Sequence, residues 1–139
     1  MKLSVRTRDK YLLYEQSVQS PNVHAEWFAE VFRELRGREA RNLSEDFCGT
    51  FVLSVAWVKR HALNHAGGLD LDPEPLAYGR FMHLPKLSGE QQTRLRILRK
   101  NVISTTRLKT DLVLACNFSF CIFRDRATLV DYFKAVRAS

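Results

Sequence analysis

The sequence predicts an α/β domain, a mostly parallel sheet of about four strands flanked by helices and entered through an N-terminal helical cap. Three observations predict it. From residue 40 onward, short apolar stretches alternate with segments of helical period, the order that produces strand–helix–strand units with right-handed crossovers. The stretch Asp111-Leu-Val-Leu-Ala-Cys116 is apolar at each interior position, as strands covered on both faces are. Residues 1–39 carry helical periodicity only, which divides the chain into a cap (1–39) and a sheet domain (40–139).

Taken in order, Thr7 to Gln19 carry Tyr11, Leu12, Tyr14, Glu15 and Val18 at helical spacing, and Ser20-Pro21-Asn22 breaks the pattern. Val23 to Arg36 form a second helix with Val23, Trp27, Val31 and Leu35 on one face, Phe28 and Phe32 beside it, and Gly37 as its stop. Ala40 to Phe47 read as a strand, Cys48-Gly49-Thr50 as a tight turn, and Phe51 to Arg60 as an apolar helix. His65 to Leu71 give a second strand. Asp72-Pro73-Glu74 then has the marks of a helix start, an N-cap acid, a proline in the first turn and a further acid at the positive end, with Leu76 to Met82 completing the helix. His83 to Arg94 read as a loop holding one helical turn around Glu90. Leu95 to Leu98 and Asp111 to Cys116 supply strands three and four. A last helix covers Asp125 to Arg137, with Leu129, Tyr132, Phe133 and Val136 inward.

Composition removes several functions. The 139 residues suffice for one hydrophobic core. No run of about 18 apolar residues is present to span a membrane, and the first residues lack a secretory signal pattern. Cys48, Cys116 and Cys121 have no metal-type spacing and read as free thiols of a reducing, cytoplasmic protein. His24, His61, His65 and His83 share neither a helical face nor a metal spacing, so no metal is expected. The net charge of +7 is concentrated. Between Arg80 and Thr110, eight basic residues stand against Glu90 alone. This is either a solvated face or a surface for nucleic acid.

The informative unit runs from Leu43 to Asp70. A strand enters a glycine turn, a helix returns, and a second strand ends in an acid 21 positions after Gly49. That interval suits a nucleoside: glycine admits a close backbone approach, the helix start offers unpaired N–H groups, and the carboxylate accepts the ribose hydroxyl protons. A dinucleotide fold would require Gly-x-Gly-x-x-Gly. This loop has Phe47, Gly49 and Val52 at those places, so nothing admits a pyrophosphate.

Glu45-Asp46-Phe47-Cys48-Gly49-Thr50 and Gly68-Leu69-Asp70-Leu71-Asp72-Pro73-Glu74 resemble the first two motifs of class I S-adenosylmethionine-dependent methyltransferases, which are Rossmann-like. Asp111 to Phe120 is similar to the family's motif at the end of the fourth strand. The resemblance implies S-adenosyl-L-methionine as cofactor and gives each residue a place. Glu45 would lie near the methionine amino group, often through water. Phe47, Cys48, Gly49 and Thr50 would form the loop along the methionine and ribose. Asp70 would hold the ribose and Leu71 would lie against the adenine. Asn101 and Val102 would read the adenine edge, although Asn101 reads equally as a turn residue. Asn117 would begin the loop beside the methyl group.

Asn117 and Ser119 are the candidates for positioning an unknown methyl acceptor. Phe118 or Phe120 would pack against it or belong to the core. Tyr14 would close over the cofactor from the N-terminal helix, as would Tyr11. Two features depart from the family. Phe51 stands where a small residue is usual, and a ring there would crowd the cofactor pocket. The family sheet has seven strands against about four here, which leaves a fragment, a shortened relative or a protein completed by a partner. An unfinished sheet edge would invite a homodimer. The competing function is an inactive module of this fold that binds protein or nucleic acid through residues 80–110.

Overall fold

The computed structural model describes residues 4–103 and 109–139. It shows an α/β fold whose four strands are all parallel, in the order β3-β2-β1-β4. β1 (Asn42–Asp46) lies at the centre, pairing with β2 (His65–Asp70) on one side and β4 (Leu112–Ala115) on the other. β3 (Leu95–Arg99) closes the far side. The chain steps outward through β2 and β3, then crosses back over β1. The crevice that this reversal opens at the carboxyl ends of β1 and β4 is where open α/β sheets place ligands.

Asp111 holds the β4 crossover at its start. Its carboxylate accepts from the N–H groups of Arg41 and Asn42 at 2.8 and 2.9 Å and from the Arg38 guanidinium at 2.8 Å. Burial pushes this carboxyl up, but the three donors outweigh it and hold it below the usual carboxylate range.

Helices α1 (Val5–Val18) and α2 (Pro21–Arg36) precede the sheet, and α3 (Val52–Arg60) and α4 (Pro73–Met82) follow β1 and β2. Pro21 begins α2 instead of separating it from α1, because a proline at the first helical position has no N–H to leave unbonded. The inward face of α2 is not the one its large side chains predict. Ala25, Ala29 and Phe32 are buried, while Val23, Trp27 and Leu35 are 65, 56 and 76% exposed. Alanines let α2 approach α3 closely, and the bulky stripe is left outside. The loop expected over 83–94 contains a turn of 3₁₀ helix at Leu84–Lys86 and the short α5 (Gly89–Thr93) with a complete Ser88–Gln91 capping box.

In α6 (Arg126–Arg137) Tyr132 and Ala135 are buried, whereas Phe133, expected inward, is 53% exposed. The Tyr132 hydroxyl donates to the buried Asp46 carboxylate at 2.9 Å, tying α6 to the end of β1. No helix among the described residues is long and apolar enough to cross a membrane.

Candidate functional site

The loop after β1 turns through alternate left-handed residues, Phe47 (φ 55°), Gly49 (φ 52°) and Phe51 (φ 50°). Left-handed backbone is costly for side chains other than glycine, so packing must hold the two phenylalanines there. Phe47 stacks its ring near those of Phe123 and Tyr132, with centroids 5.9 and 6.0 Å away. Phe51 is fully buried on the opposite side, edge-on to His83, and Gly79 of α4 leaves the space its ring occupies. This corrects the expectation that Phe51 would crowd the pocket. The left-handed backbone aims the ring into the core.

Asp70, at the end of β2, fixes the turn from the other side. One carboxylate oxygen accepts from the Gly49 N–H at 2.7 Å and the other from the Asp72 N–H at 2.8 Å. Positions 49 and 70 therefore meet as their spacing implied. Asp72 in turn caps α4 by accepting from the Glu74 N–H.

Two cavities adjoin this carboxylate. The first, about 280 Å³, is bounded by Asp70, Leu71, Asn101, Val102 and the apolar side chains of Ile122 and Phe123. The second, about 350 Å³, is bounded by Gly49, Thr50, Asp70, Tyr14 and Ser119, with Lys10 and Tyr11 at its side. Phe47, Asp70 and Asp72 belong to the walls of both. The two cavities together suit a nucleoside with a further substituent: an apolar lobe edged by Asn101, a hydroxyl acceptor in the middle, and a more polar lobe beside the glycine turn. Thr50 borders the second lobe, and its buried Oγ1 has no hydrogen-bond partner among the described residues.

The remaining site residues fall as follows. Asn101 serves its own turn, its side-chain oxygen accepting from the Ile103 N–H at 3.0 Å, while it also edges the first cavity. Cys48 is buried against Gly68 and does not line either cavity. Burial pushes its thiol well above the ordinary range, the opposite of a thiolate stabilised by a helix start. Asn117 donates to the Tyr14 hydroxyl at 3.0 Å, joining the end of β4 to α1. Ser119 lines the second cavity and donates to the Cys116 carbonyl. Phe118 is 82% exposed and Phe120 37%, so neither belongs to the core.

Sequence reading did not place Ile122, Phe123 or Lys10 at the site. The first two lie at the end of the 3₁₀ turn (Ser119–Ile122) that follows β4, Phe123 being its C-cap, and their position depends on tertiary packing. Lys10 is held by Glu74 at 2.8 Å, which also accepts from the Tyr11 hydroxyl at 2.8 Å. Burial, then Glu74, pushes the Tyr11 hydroxyl up to about 12, so it stays protonated and donating.

Glu45 is buried below the turn, outside both large cavities, and accepts from the Ser54 N–H and hydroxyl at 3.1 and 2.6 Å. Burial raises its carboxyl to about 7, against the Ser54 donors. An unfolded glutamate titrates near 4.5. Between those values the folded chain holds a proton that the unfolded chain releases, so Glu45 makes stability fall as pH rises from about 4.5 to 7. Glu45→Gln keeps the acceptor oxygen without the charge. Its stability relative to the parent, measured by urea denaturation, is expected to grow from near zero at pH 5 to as much as about 3 kcal/mol at pH 8. An unchanged difference across that range would reject the buried-carboxylate account.

The basic segment is partly consumed by structure. Arg94 donates to the carbonyls of Val58, His61 and Asn64, closing the end of α3, Arg99 donates to the Leu71 carbonyl, and Arg80 approaches that of Ile97. Arg107 lies outside the described residues.

No family model matches the sequence, and no curated protein matches it. Solved structures do. Over 99% of its length the chain overlies 52% of CalS10, an S-adenosylmethionine-bound amino pentose methyltransferase from Micromonospora echinaspora, with a TM-score of 0.70 and 21% identity. The sugar N-methyltransferase KedS8 from Streptoalloteichus sp ATCC 53650 matches over 93% of this chain and 47% of its own, with a TM-score of 0.66 and 26% identity. The plantazolicin methyltransferase BpumL, solved with SAH and a pentazolic desmethylPZN analog, gives a TM-score of 0.66 at 14% identity, covering 91% of this chain and 46% of its own. The chain has the Rossmann-like fold of S-adenosylmethionine-dependent methyltransferases and spans about half the length of these three proteins.

Proposed function

We propose that this chain binds S-adenosyl-L-methionine as the cofactor half of a methyltransferase. The observation that carries the reading is Asp70. Its carboxylate stands where two cavities adjoin, already bonded to the Gly49 turn, and each oxygen retains a lone pair for a hydroxyl donor. The adenosine would occupy the lobe of Leu71, Val102 and Phe123 with its sugar on Asp70, and the amino-acid end would lie towards Gly49 and Thr50. The methyltransferase folds of CalS10, KedS8 and BpumL support the assignment.

When bound, the cofactor supplies a methyl group already made electrophilic by its sulfonium. The work left to the residues is positioning. Tyr14, held by Asn117, presents a half-exposed ring and hydroxyl on the polar lobe, and Ser119 Oγ can accept a hydrogen bond from an acceptor molecule there. Tyr11 stays neutral and cannot act as a base.

Calorimetric titration with S-adenosylhomocysteine tests the reading. Saturable one-to-one binding is expected, with methylthioadenosine, which lacks the amino acid, binding more weakly. A folded protein that takes up neither ligand at high micromolar concentration would refute it.

A further inference from the structure

His83 lines neither cavity, yet it touches both elements that wall the second one. The residue ends α4, its backbone N–H bonding the Gly79 carbonyl, and its imidazole is buried. On one side the ring meets Phe51 edge-on, with centroids 6.2 Å apart, and so packs against an aromatic anchor of the Gly49–Thr50 turn. On the other side its Nε2 lies 2.7 Å from Glu15 Oε1 of α1. A carboxylate can only accept, so Nε2 carries the hydrogen and donates it. Tyr78 joins the same cluster, edge-on to His83 at 5.7 Å and tilted against Tyr11 at 5.1 Å between ring centroids.

The first helix needs such an anchor. Tyr11 is the buried residue of α1, whereas Leu12, Leu13 and Val18 are exposed. Little apolar burial therefore holds the helix in place. Its polar ties are unequal. Glu74 is exposed, so water competes for its bonds to Lys10 and Tyr11, as it does for the exposed bond from Asn117 to Tyr14. The Glu15–His83 bond is shielded on both sides. Removing either partner would leave the other shielded and unpaired, the costly case. Glu15 lies one turn beyond Tyr11 and next to Tyr14, so fixing it fixes the two tyrosines that line the second cavity.

We propose that His83 is a positioning residue for the second lobe. Through Glu15 it holds α1 against the turn that Phe51 anchors, and so sets Tyr11 and Tyr14 where the amino-acid end of the ligand meets them. The inference rests on the cofactor assignment above. The first lobe takes no residue from α1. The two parts of the ligand should therefore respond differently, the adenosine contacts being independent of His83 and those of the amino-acid end not.

The test compares S-adenosylhomocysteine with methylthioadenosine by calorimetry in the parent, His83→Ala, Glu15→Ala, the double variant and His83→Gln, with urea denaturation to establish that each is folded. The single alanine variants are each expected to weaken S-adenosylhomocysteine about tenfold while methylthioadenosine binds as in the parent. Both remove the same bond, so the double variant should bind no more weakly than the poorer single one. His83→Gln, whose amide nitrogen can still donate to Glu15, should recover most of the affinity. Should His83→Ala fail to fold, Glu15→Ala decides alone, since it leaves the packing on Phe51 untouched. Equal weakening of both ligands would mark a general structural role. Loss confined to His83→Ala would mean support of Phe51 and not of α1, and unchanged affinities would mean no role. Any of these three results overturns the proposal and leaves the cofactor assignment intact. A folded parent that binds neither ligand overturns both.

Discussion

Asp70→Ala is expected to weaken S-adenosylhomocysteine binding by about 3 kcal/mol, roughly 150-fold in Kd, and to destabilise the ligand-free protein by about 2 kcal/mol. The first effect comes from removing a charged acceptor of the ribose hydroxyls. The second comes from the Gly49 and Asp72 N–H groups, which lose acceptors at 2.7 and 2.8 Å. Asp70→Asn separates the two. Its amide oxygen can keep one backbone donor and its shape keeps the turn, so stability should recover more than affinity. Calorimetry and urea denaturation on the three proteins decide the matter. If Asp70→Ala bound as tightly as the parent, the ribose assignment would be wrong.

Phe51→Ala is expected to cost about 3–5 kcal/mol, the usual penalty for deleting a fully buried ring, and to lower the melting temperature by roughly 10 °C. It should not improve cofactor binding, because the ring fills the core and not the pocket. Gly79 provides the complementary experiment. A Cβ there would strike the Thr50 carbonyl and the Phe51 ring, so Gly79→Ala should cost about 1–3 kcal/mol by overpacking and disturb the cofactor loop. In the double variant the alanine at 79 no longer meets a ring. The two penalties should fall short of their sum by about 1 kcal/mol or more. Simple additivity would show that the two residues do not share this contact.

The parts of the molecule that follow from local chemistry were legible in the sequence. The glycine turn, the acid 21 residues later, the Asp72 cap and the apolar fourth strand each declare themselves through backbone geometry or periodicity. What escaped depends on which neighbour a side chain meets. Trp27 and Phe133 carry the size of core residues, but α2 docks through Ala25, Ala29 and Phe32 and α6 through Tyr132 and Ala135, which leaves both large side chains outside. Arg94 reads as surface charge, yet it closes the end of α3 by taking three carbonyls. Phe51 could not be placed because no propensity predicts left-handed backbone at phenylalanine.

The two left-handed phenylalanines on either side of Gly49 determine how this site meets a ligand. Each such backbone costs on the order of 1–2 kcal/mol, a burden tolerable only while both rings stay seated, one under α6 and one against α4. Relaxing the turn would require pulling an aromatic anchor out of each face of the sheet. The binding edge is therefore built into the apoprotein, and nucleoside capture should proceed as docking onto a finished surface, with little ordering entropy left for the ligand to overcome.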